Sequence, residues 1–460
     1  MSLARIRATP TWVVATAAAV VWLVSAGVMF HFGSHWHLDL RVYRSAGHAL
    51  FHGGRPFKDL YTESRLPFTY PPFALLVLSP LSLGRLGLIE ALWWLANSAA
   101  LVFTLYRLLM TDTGEALSNS GAPAWHPGTP APNPGTPAIP SAPTPSAPQP
   151  SAPQPSARQR SGPDPRALGL SKQRALAVAA LMGAAATLAL EPVRSNMDYA
   201  QINLILMLLV VVDLTAKQSE RPWWRGCLVG LAGAVKLTPL LYLVAFVVQR
   251  DWRSLARGVG TFAVATALSW VVLPSDSALY WFHEATNADR TGPIAIVSNQ
   301  SWNGLLHRPP FHGGHLTTVL WVILVIATLA CGVFLAARLT AQRRTVETVM
   351  ALGLTELLVS PVSWTHHWSW LAIAPIAAVS LWRVHRAVAW LLVVLVALAV
   401  AAPYLWLQHG PASYVAGNVL VLMGAAVLVV WTAAEWAVWA PAHTRLRLRS
   451  RVGRLQPGTR

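Results

Sequence analysis

Long apolar runs constrain this chain more than any other feature of its sequence. Residues 11–30, 317–337, 387–407 and 414–439 each match the roughly 20 residues that cross the hydrocarbon core of a bilayer. Only 12% of the 460 residues are charged, against roughly a quarter in a soluble domain. These features exclude a soluble globular protein and predict an all-α polytopic membrane protein.

Counting every apolar run predicts about 12 transmembrane or re-entrant helices. The runs lie near residues 11–31, 71–84, 86–110, 173–190, 201–216, 226–249, 254–274, 317–340, 346–361, 367–382, 387–407 and 414–440. Several are too short to cross straight, and we expect 71–84 or 226–249 to be re-entrant. Because proline removes a helix hydrogen bond, run 226–249 is predicted to break at Lys236-Leu237-Thr238-Pro239.

The arginines predict how the chain is oriented in the membrane. The net charge of +17 comes from arginine and lysine at the ends of apolar runs, which the positive-inside rule explains better than a nucleic-acid partner. The tail 441–460 has six arginines and no acidic residue, so we expect it to be cytoplasmic and to contact membrane lipids. The rule places residues 31–70 and 275–315 in long external loops, and hence any site there on the extracytoplasmic side of the plasma (inner) membrane.

The chain divides into four predicted segments. Residues 1–110 carry the first spans with external loop 31–70, and residues 173–440 form the rest of the bundle with loop 275–315. Between them, residues 111–172 are predicted to be a disordered linker rich in Pro, Ala and Ser, and the stretch 119–166 alone holds 15 of the 34 prolines. The basic tail 441–460 closes the chain. The two cysteines lie in apolar runs and predict no disulfide framework.

A carboxylate directly after the first span is the strongest candidate for chemistry. Asp39 lies in the run His35-Trp36-His37-Leu38-Asp39-Leu40-Arg41-Val42-Tyr43-Arg44, at the outer boundary of the membrane. Partial desolvation there by Trp36, Tyr43 and Tyr70 would raise its pKa and suit it to take a proton from an alcohol. Capping of the helix that follows is the alternative role for Asp39.

Three further polar motifs fall on the same predicted side of the membrane. They are Arg194-Ser195-Asn196-Met197-Asp198-Tyr199-Ala200-Gln201-Ile202-Asn203, Ser298-Asn299-Gln300-Ser301-Trp302-Asn303-Gly304 with Arg308, and Ser360-Pro361-Val362-Ser363-Trp364-Thr365-His366-His367-Trp368. Adjacent histidines point about 100° apart on a helix, so His366 and His367 suit a phosphate better than one chelated metal. The tryptophans around them fit a membrane-interface belt.

The order of these motifs resembles a known family. Asp-Leu-x-Val-Tyr, Phe-Thr-Tyr-Pro-Pro, Gln-x-Asn, Lys-Leu-Thr-Pro, Asn-Gln-Ser-x-x-Gly and Ser-Pro-Val-Ser-Trp-x-His-His-Trp occur here in the order of the GT-C glycosyltransferases that use polyprenol-phosphate sugars. Within these, the chain is similar to the actinobacterial family 87 α-1,2-mannosyltransferases. It departs from the family pattern at Ala200-Gln201, where the family has Gly-Gln.

The resemblance implies a GT-C bundle and an inverting transfer of mannose from polyprenyl-phosphate-mannose to a glycolipid or lipoglycan hydroxyl. It implies Asp39 as the general base, and no cofactor or metal besides the lipid-linked donor. His366, His367 and Arg308 become candidates for the donor phosphate. The candidates for orienting substrate are Tyr43, Tyr70, Gln201, Asn203, Asn299, Gln300 and Trp364.

Three alternatives remain open at the level of sequence. A sister enzyme of the same fold would move arabinofuranose from decaprenyl phosphate, because the motifs bind the lipid phosphate more than the sugar. A secondary transporter would also carry broken helices and intramembrane polar groups, although here these groups gather at one face and no inverted repeat is visible. A lipid-binding scaffold would have lost the site, which the intact Asp39 argues against.

Overall fold

The computed structural model describes residues 11–32, 37–63, 65–111, 172–216, 220, 222–407, 409–410 and 412–452. Most of the predicted linker 111–172, residues His35 and Trp36, and the end of the basic tail lie outside the described residues. The described chain is almost entirely helical. Its one two-stranded sheet pairs β1 (Leu60–Tyr61) antiparallel with β2 (Leu66–Pro67) in the first predicted external loop.

Nineteen α-helices follow one another along the described residues. They are α1 (Thr11–Phe32), α2 (Leu38–Phe51), α3 (Pro72–Leu78), α4 (Leu86–Leu109), α5 (Lys172–Ala189), α6 (Glu191–Asp198), α7 (Asn203–Leu214), α8 (Cys227–Val235), α9 (Leu243–Val248), α10 (Trp252–Val272), α11 (Pro274–Leu279), α12 (Trp302–His307), α13 (His315–Ala341), α14 (Thr345–Val359), α15 (Ala374–Leu381), α16 (Arg386–Ala401), α17 (Pro403–Trp406), α18 (Ser413–Gly417) and α19 (Val419–Val452). Shorter 3-10 turns cover Ser79–Leu83, Thr238–Tyr242, Ala288–Thr291 and Thr365–Ile373, and a π-turn covers Tyr280–Glu284.

The apolar helices agree with a polytopic membrane protein. Five helices are long and apolar enough to cross a bilayer, and α5 with α6 makes a sixth if this pair, bent by 79°, is one span. The five lie at Leu86–Leu109, Trp252–Val272, His315–Ala341, Arg386–Trp406 and Val419–Ala440. The described chain also has four shorter apolar helices, so the number of about 12 stays a prediction.

The predicted break in run 226–249 is confirmed. Helix α8 ends at Val235, Lys236 has an extended backbone, and Pro239 enters the 3-10 turn that leads to α9. Run 71–84 is likewise short, because α3 passes at Ser79 into a 3-10 turn. Ser79 and Pro239 are buried at these interruptions, so the surrounding protein shields the broken backbone there from lipid.

Small residues let α8 and α10 approach closely. A Cβ atom on Gly230 would lie 2.2 Å from the carbonyl oxygen of Gly258, and one on Gly226 would lie 1.9 Å from that of Ser254. This spacing of glycines four residues apart is typical of helices that pack in lipid. Close packing of these two helices fixes the end of α8, and with it the position of Lys236.

The two predicted external loops contact each other. Arg290 forms an ion pair of 2.7 Å with Glu284, and its guanidinium donates to the carbonyl oxygens of Phe68, at 3.0 Å, and Phe57. The segment after α11 is therefore fastened to the loop that contains β1 and β2.

A buried ion cluster ties together three other segments. Glu435 of α19 accepts from Arg344, at 3.1 Å, and lies 2.9 Å from the ring nitrogen of His385. The turns before α14 and α16 are thereby fixed to the last helix.

Candidate active site

Asp39 is positioned by the junction of α2 with α6. The backbone N–H of Asp39 donates to the Tyr199 carbonyl at 3.1 Å, and that of His37 donates to the Asp198 carbonyl at 2.9 Å. Helix α2 thus uses the last carbonyls of α6 to satisfy N–H groups that the start of a helix leaves unpaired. Asp39 lies in the first turn of α2, at the point where the two elements meet.

The carboxyl group of Asp39 is held by an oriented amide. Tyr70 donates its hydroxyl to Gln201 Oε1 at 2.7 Å, and the Tyr43 hydroxyl lies 3.2 Å from the same oxygen. Because Gln201 also hydrogen-bonds the Asp39 carboxylate, which only accepts, the Gln201 amide nitrogen faces Asp39. The sequence-predicted residues Asp39, Tyr43, Tyr70 and Gln201 therefore form one connected group.

Desolvation shifts the acidity of this group. Burial raises the pKa of Asp39 to about 7, although the Gln201 hydrogen bond and the charge of Lys236 both lower it. Burial also raises the pKa of Tyr43 and of Tyr70, so both phenols keep their protons and remain donors. A carboxyl group that ionises near neutral pH is suited to general base catalysis.

The break between α8 and the next turn brings a cation to the same place. Lys236 Nζ donates to Asn203 Oδ1 at 2.7 Å and lies 3.1 Å from His367 Nε2. It also lies 5.7 Å from the ring centroid of Tyr70. Among the described residues these two hydrogen-bond partners leave one ammonium N–H of Lys236 for a ligand.

The two predicted histidines lie beside this cation. The rings of His366 and His367 are 4.8 Å apart, and the ring of Tyr199 lies 5.3 Å from that of His366. Asn203 donates to the His366 carbonyl at 3.3 Å. His366 Nε2 is buried and has no hydrogen-bond partner within the part of the chain that the structure describes, so it can serve a ligand.

A small pocket opens at this cluster. Lys236, Asn203 and His367 lie at its wall together with Ser363 and Glu356, and Trp370 supplies an aromatic surface. The remaining lining is mostly apolar, from Leu206, Met207, Pro239 and Leu357. Such a pocket combines convergent polar groups with an apolar lining, which is typical of ligand sites.

Arg308 has partners other than those expected from the sequence. Its guanidinium donates to the carbonyls of Ile296, at 2.8 Å, and Asn299, at 3.0 Å, and to Asn418 Oδ1 at 2.6 Å. Each of its nitrogens is thus occupied inside the protein, and the structure does not bring Arg308 into the Lys236 cluster. Arg308 therefore fastens the end of α18 to the second predicted external loop, residues 275–315.

Asn299 and Gln300 also have internal partners for their side chains. Gln300 donates to the carbonyls of Val297 and Gly417 at 2.7 Å each, and Asn299 Oδ1 accepts from the Ser363 backbone at 2.9 Å. Both are fully buried. Their amides hold backbone segments together and do not face the pocket that carries Lys236.

Trp364 lies at the edge of the described site. Its backbone forms a β-bridge with Asn299, and its indole faces Gly292. Lys236 and Glu356 line this site but were not among the predicted site residues. The motif Lys-Leu-Thr-Pro was the available signal for Lys236, whereas Glu356 sits in an apolar helix with no neighbouring motif.

The glycine that the family has at position 200, where this chain has alanine, is explained by the backbone conformation. Ala200 has φ of +54°, in the left-handed region that glycine adopts without steric cost. Trp93 Nε1 donates to the Ala200 carbonyl at 2.7 Å and holds this turn in place. The position therefore favours glycine for its conformation.

No group of three or more His, Cys, Asp or Glu side chains among the described residues is arranged to hold a metal ion.

Comparison with known proteins decides the family. The family model of glycosyltransferase family 87 matches residues 68–139 and 160–361, which is more than half of the chain. The chain belongs to glycosyltransferase family 87. The family 87 resemblance predicted from the six motifs is thus confirmed, and the protein is a glycosyltransferase.

Two mycobacterial relatives have the same name, polyprenol-phosphate-mannose-dependent alpha-(1-2)-phosphatidylinositol mannoside mannosyltransferase. The one from Mycobacterium tuberculosis is 32% identical to this family 87 chain, over 73% of this chain and 68% of the relative. The one from Mycolicibacterium smegmatis is 33% identical, over 76% and 71%.

Two further matches bear on the substrate. A pentamannoside mannosyltransferase of M. smegmatis is 31% identical over 78% of this family 87 chain and 72% of the relative. An alpha-(1->3)-arabinofuranosyltransferase of Corynebacterium glutamicum is 32% identical over only 19% of this chain and 21% of the relative. No solved structure gave a significant match.

Proposed function

We propose that this family 87 enzyme transfers mannose from polyprenyl-phosphate-mannose to a hydroxyl of a phosphatidylinositol mannoside or related glycolipid, with inversion, to form an α-1,2 linkage. The names of its mycobacterial relatives support this donor and acceptor class. The observation that carries the proposal is that Asp39 and Lys236 meet at one group, Gln201 with Tyr70: Gln201 hydrogen-bonds Asp39, and Lys236 Nζ lies 5.7 Å from the centroid of the Tyr70 ring.

Asp39 acts as the general base in the proposed reaction. It takes the proton from the acceptor hydroxyl as that oxygen bonds to C1 of mannose, and the bond between C1 and the phosphate oxygen breaks. The bonding electrons leave with the phosphate. A phosphate leaves as an anion without protonation, so the leaving side needs only positive charge and hydrogen-bond donors.

Lys236 and His366 serve the leaving phosphate directly, and His367 serves it by holding Lys236, whose Nζ lies 3.1 Å from His367 Nε2. The ammonium of Lys236 supplies the charge, and the unpartnered Nε2 of His366 supplies a donor in its neutral N–H form. Lys236 takes the role first assigned to Arg308, because the guanidinium of Arg308 is occupied by internal acceptors. Asn203 orients Lys236 and does not need to contact the sugar.

The proposed location is the extracytoplasmic face of the plasma membrane, within a GT-C bundle. The alternation of basic and non-basic loops supports this side. Contact between the two predicted external loops through Arg290 supports their lying on one face.

A transfer assay with two donors tests the proposal. Purified enzyme in lipid nanodiscs is given a phosphatidylinositol mannoside with radiolabelled polyprenyl-phosphate-mannose or, separately, polyprenyl-phosphate-arabinose. We expect label to move only from the mannose donor, and the product to be cleaved by an α-1,2-specific mannosidase. Transfer from the arabinose donor alone would support the arabinofuranosyltransferase alternative and overturn our proposal.

A further inference from the structure

Glu191 is a buried carboxylate with no role in the proposed chemistry. It is only 5% exposed and is the first residue of α6. Thr365 donates its hydroxyl to Glu191 Oε1 at 3.1 Å, and the hydroxyl of Tyr404 donates to Oε2. Thr365 and Tyr404 are buried as well. Burying a carboxylate is costly unless its oxygens are hydrogen-bonded, and here both are.

The hydrogen bond to Thr365 fixes the segment that carries the histidines. Thr365 begins the 3-10 turn Thr365–Ile373, and His366 and His367 follow it directly. Removal of one partner from a buried hydrogen bond is costly, because the other partner is left unsatisfied. Glu191 therefore holds the start of this turn against the amino-terminal end of α6.

The other end of α6 holds the proposed base. The carbonyls of Asp198 and Tyr199 accept the backbone N–H groups of His37 and Asp39. An eight-residue helix is about 12 Å long and rigid. Helix α6 thus contacts the histidine segment at Glu191 and again at its carboxyl-terminal end, where the Tyr199 ring lies 5.3 Å from that of His366, and this same end holds Asp39.

We infer that Glu191 is a positioning residue, and that together with Thr365 and Tyr404 it sets the distance between the phosphate-binding histidines and the base Asp39 through α6. This inference rests on the proposed function for its catalytic consequence. An in-line displacement needs the base and the leaving-group partners in place at the same moment, so a small loosening at one end lowers the rate of the chemical step.

Four variants of the full-length enzyme test the inference. Thr365→Val removes the donor, Thr365→Ser restores it, and Tyr404→Phe removes the second donor. Thr348→Val is the matched control, because Thr348 is also buried but donates only within its own helix, to the Arg344 carbonyl at 2.9 Å.

The first readout needs no substrate. Acylation of His366 and His367 by diethyl pyrocarbonate, followed by mass spectrometry, reports how tightly the turn is held. Loss of a buried hydrogen bond, which leaves an oxygen of Glu191 without its partner, costs enough for about tenfold faster labelling in Thr365→Val and Tyr404→Phe. Thr365→Ser and Thr348→Val should label at the wild-type rate. Unchanged labelling in Thr365→Val and Tyr404→Phe would overturn the inference.

The second readout is mannose transfer. We expect kcat to fall about tenfold in Thr365→Val with little change in the donor KM, and to recover in Thr365→Ser. Faster labelling with an unchanged kcat would also overturn the positioning role. A wild-type enzyme that transfers no mannose would refute the proposed function, whereas the labelling result would still decide whether Glu191 holds the histidine turn.

Discussion

At the scale of single residues, the acidity of Asp39 sets a pH dependence. Its pKa is raised to about 7 by desolvation, and only the ionised carboxylate can accept a proton. We therefore expect kcat/KM for transfer to fall about tenfold per pH unit below pH 7 and to level off above it. A pH–rate profile between pH 5 and about 9 measures this.

A variant at Gln201 tests whether Asp39 is the group that gives this pH–rate profile. Its hydrogen bond stabilises the ionised form of Asp39 and lowers the pKa, so Gln201→Leu should move the inflection to higher pH. A profile that is flat over the range, or an inflection that does not move in Gln201→Leu, would contradict the assignment of Asp39 as the titrating base.

Ala200 has a strained backbone conformation that glycine would adopt without strain. A backbone φ of +54° costs a residue with a Cβ atom about 1–2 kcal/mol, and glycine avoids this cost. Part of that gain is cancelled because glycine makes the unfolded chain more flexible, so more entropy is lost on folding. Ala200→Gly should therefore raise the stability by about 1 kcal/mol, visible as a higher Tm in detergent. A lower Tm would show that the alanine methyl group contributes packing that outweighs its strain.

The role of a polar residue was the least predictable feature at this scale. Tyr43 and Tyr70 were expected beside Asp39, Gln201 was expected only on the same side of the membrane, and all four lie together. Asn299 and Gln300 have the same residue types in an equally polar motif, yet their amides bind backbone. Sequence gives the donors and acceptors of a side chain but not which partner the fold brings to it.

At the scale of elements, the close contact between α8 and α10 depends on glycines, which have no side chain to hold the helices apart. A Cβ on Gly230 would overlap the Gly258 carbonyl, so Gly230→Ala should force the helices apart and cost about 1–3 kcal/mol. Gly260→Ala in α10 is the control, because a Cβ there meets nothing within 4 Å. Thermal unfolding of both variants checks this; equal Tm values would show that the close approach contributes no stability.

The break that proline causes in run 226–249 was predictable, whereas the contacts that the break gives to Lys236 were not. The Lys236–Pro239 sequence correctly predicts where run 226–249 breaks. It does not show that the break turns the Lys236 ammonium towards Asn203 and His367, since this depends on how α8 packs against α10. The long apolar helices were predictable from hydropathy, but the bend of 79° between α5 and α6 was not.

At the scale of the whole molecule, the orientation in the membrane is testable by labelling. In a variant with Cys227 and Cys331 replaced, single cysteines are introduced at positions 58 and 450. An impermeant maleimide applied to intact cells should modify position 58 and spare position 450, because arginine-rich segments stay in the cytoplasm. Modification of position 450 alone would invert the topology and place the site on the cytoplasmic face.

The account as a whole depends on one carboxylate acting as the base of a glycosyl transfer. Substitution of Asp39 by Asn keeps its size and its hydrogen bond to Gln201 but removes the ability to take a proton. Asp59→Asn is the matched control in the same loop, where the carboxylate accepts only from the Arg55 backbone.

The decisive measurement is the turnover of Asp39→Asn with polyprenyl-phosphate-mannose, alongside equilibrium binding of the donor. We predict that kcat falls by roughly 10²–10⁴-fold while donor binding and the activity of Asp59→Asn stay close to wild type. A folded Asp39→Asn enzyme that binds donor and still transfers mannose at the wild-type rate would contradict the account.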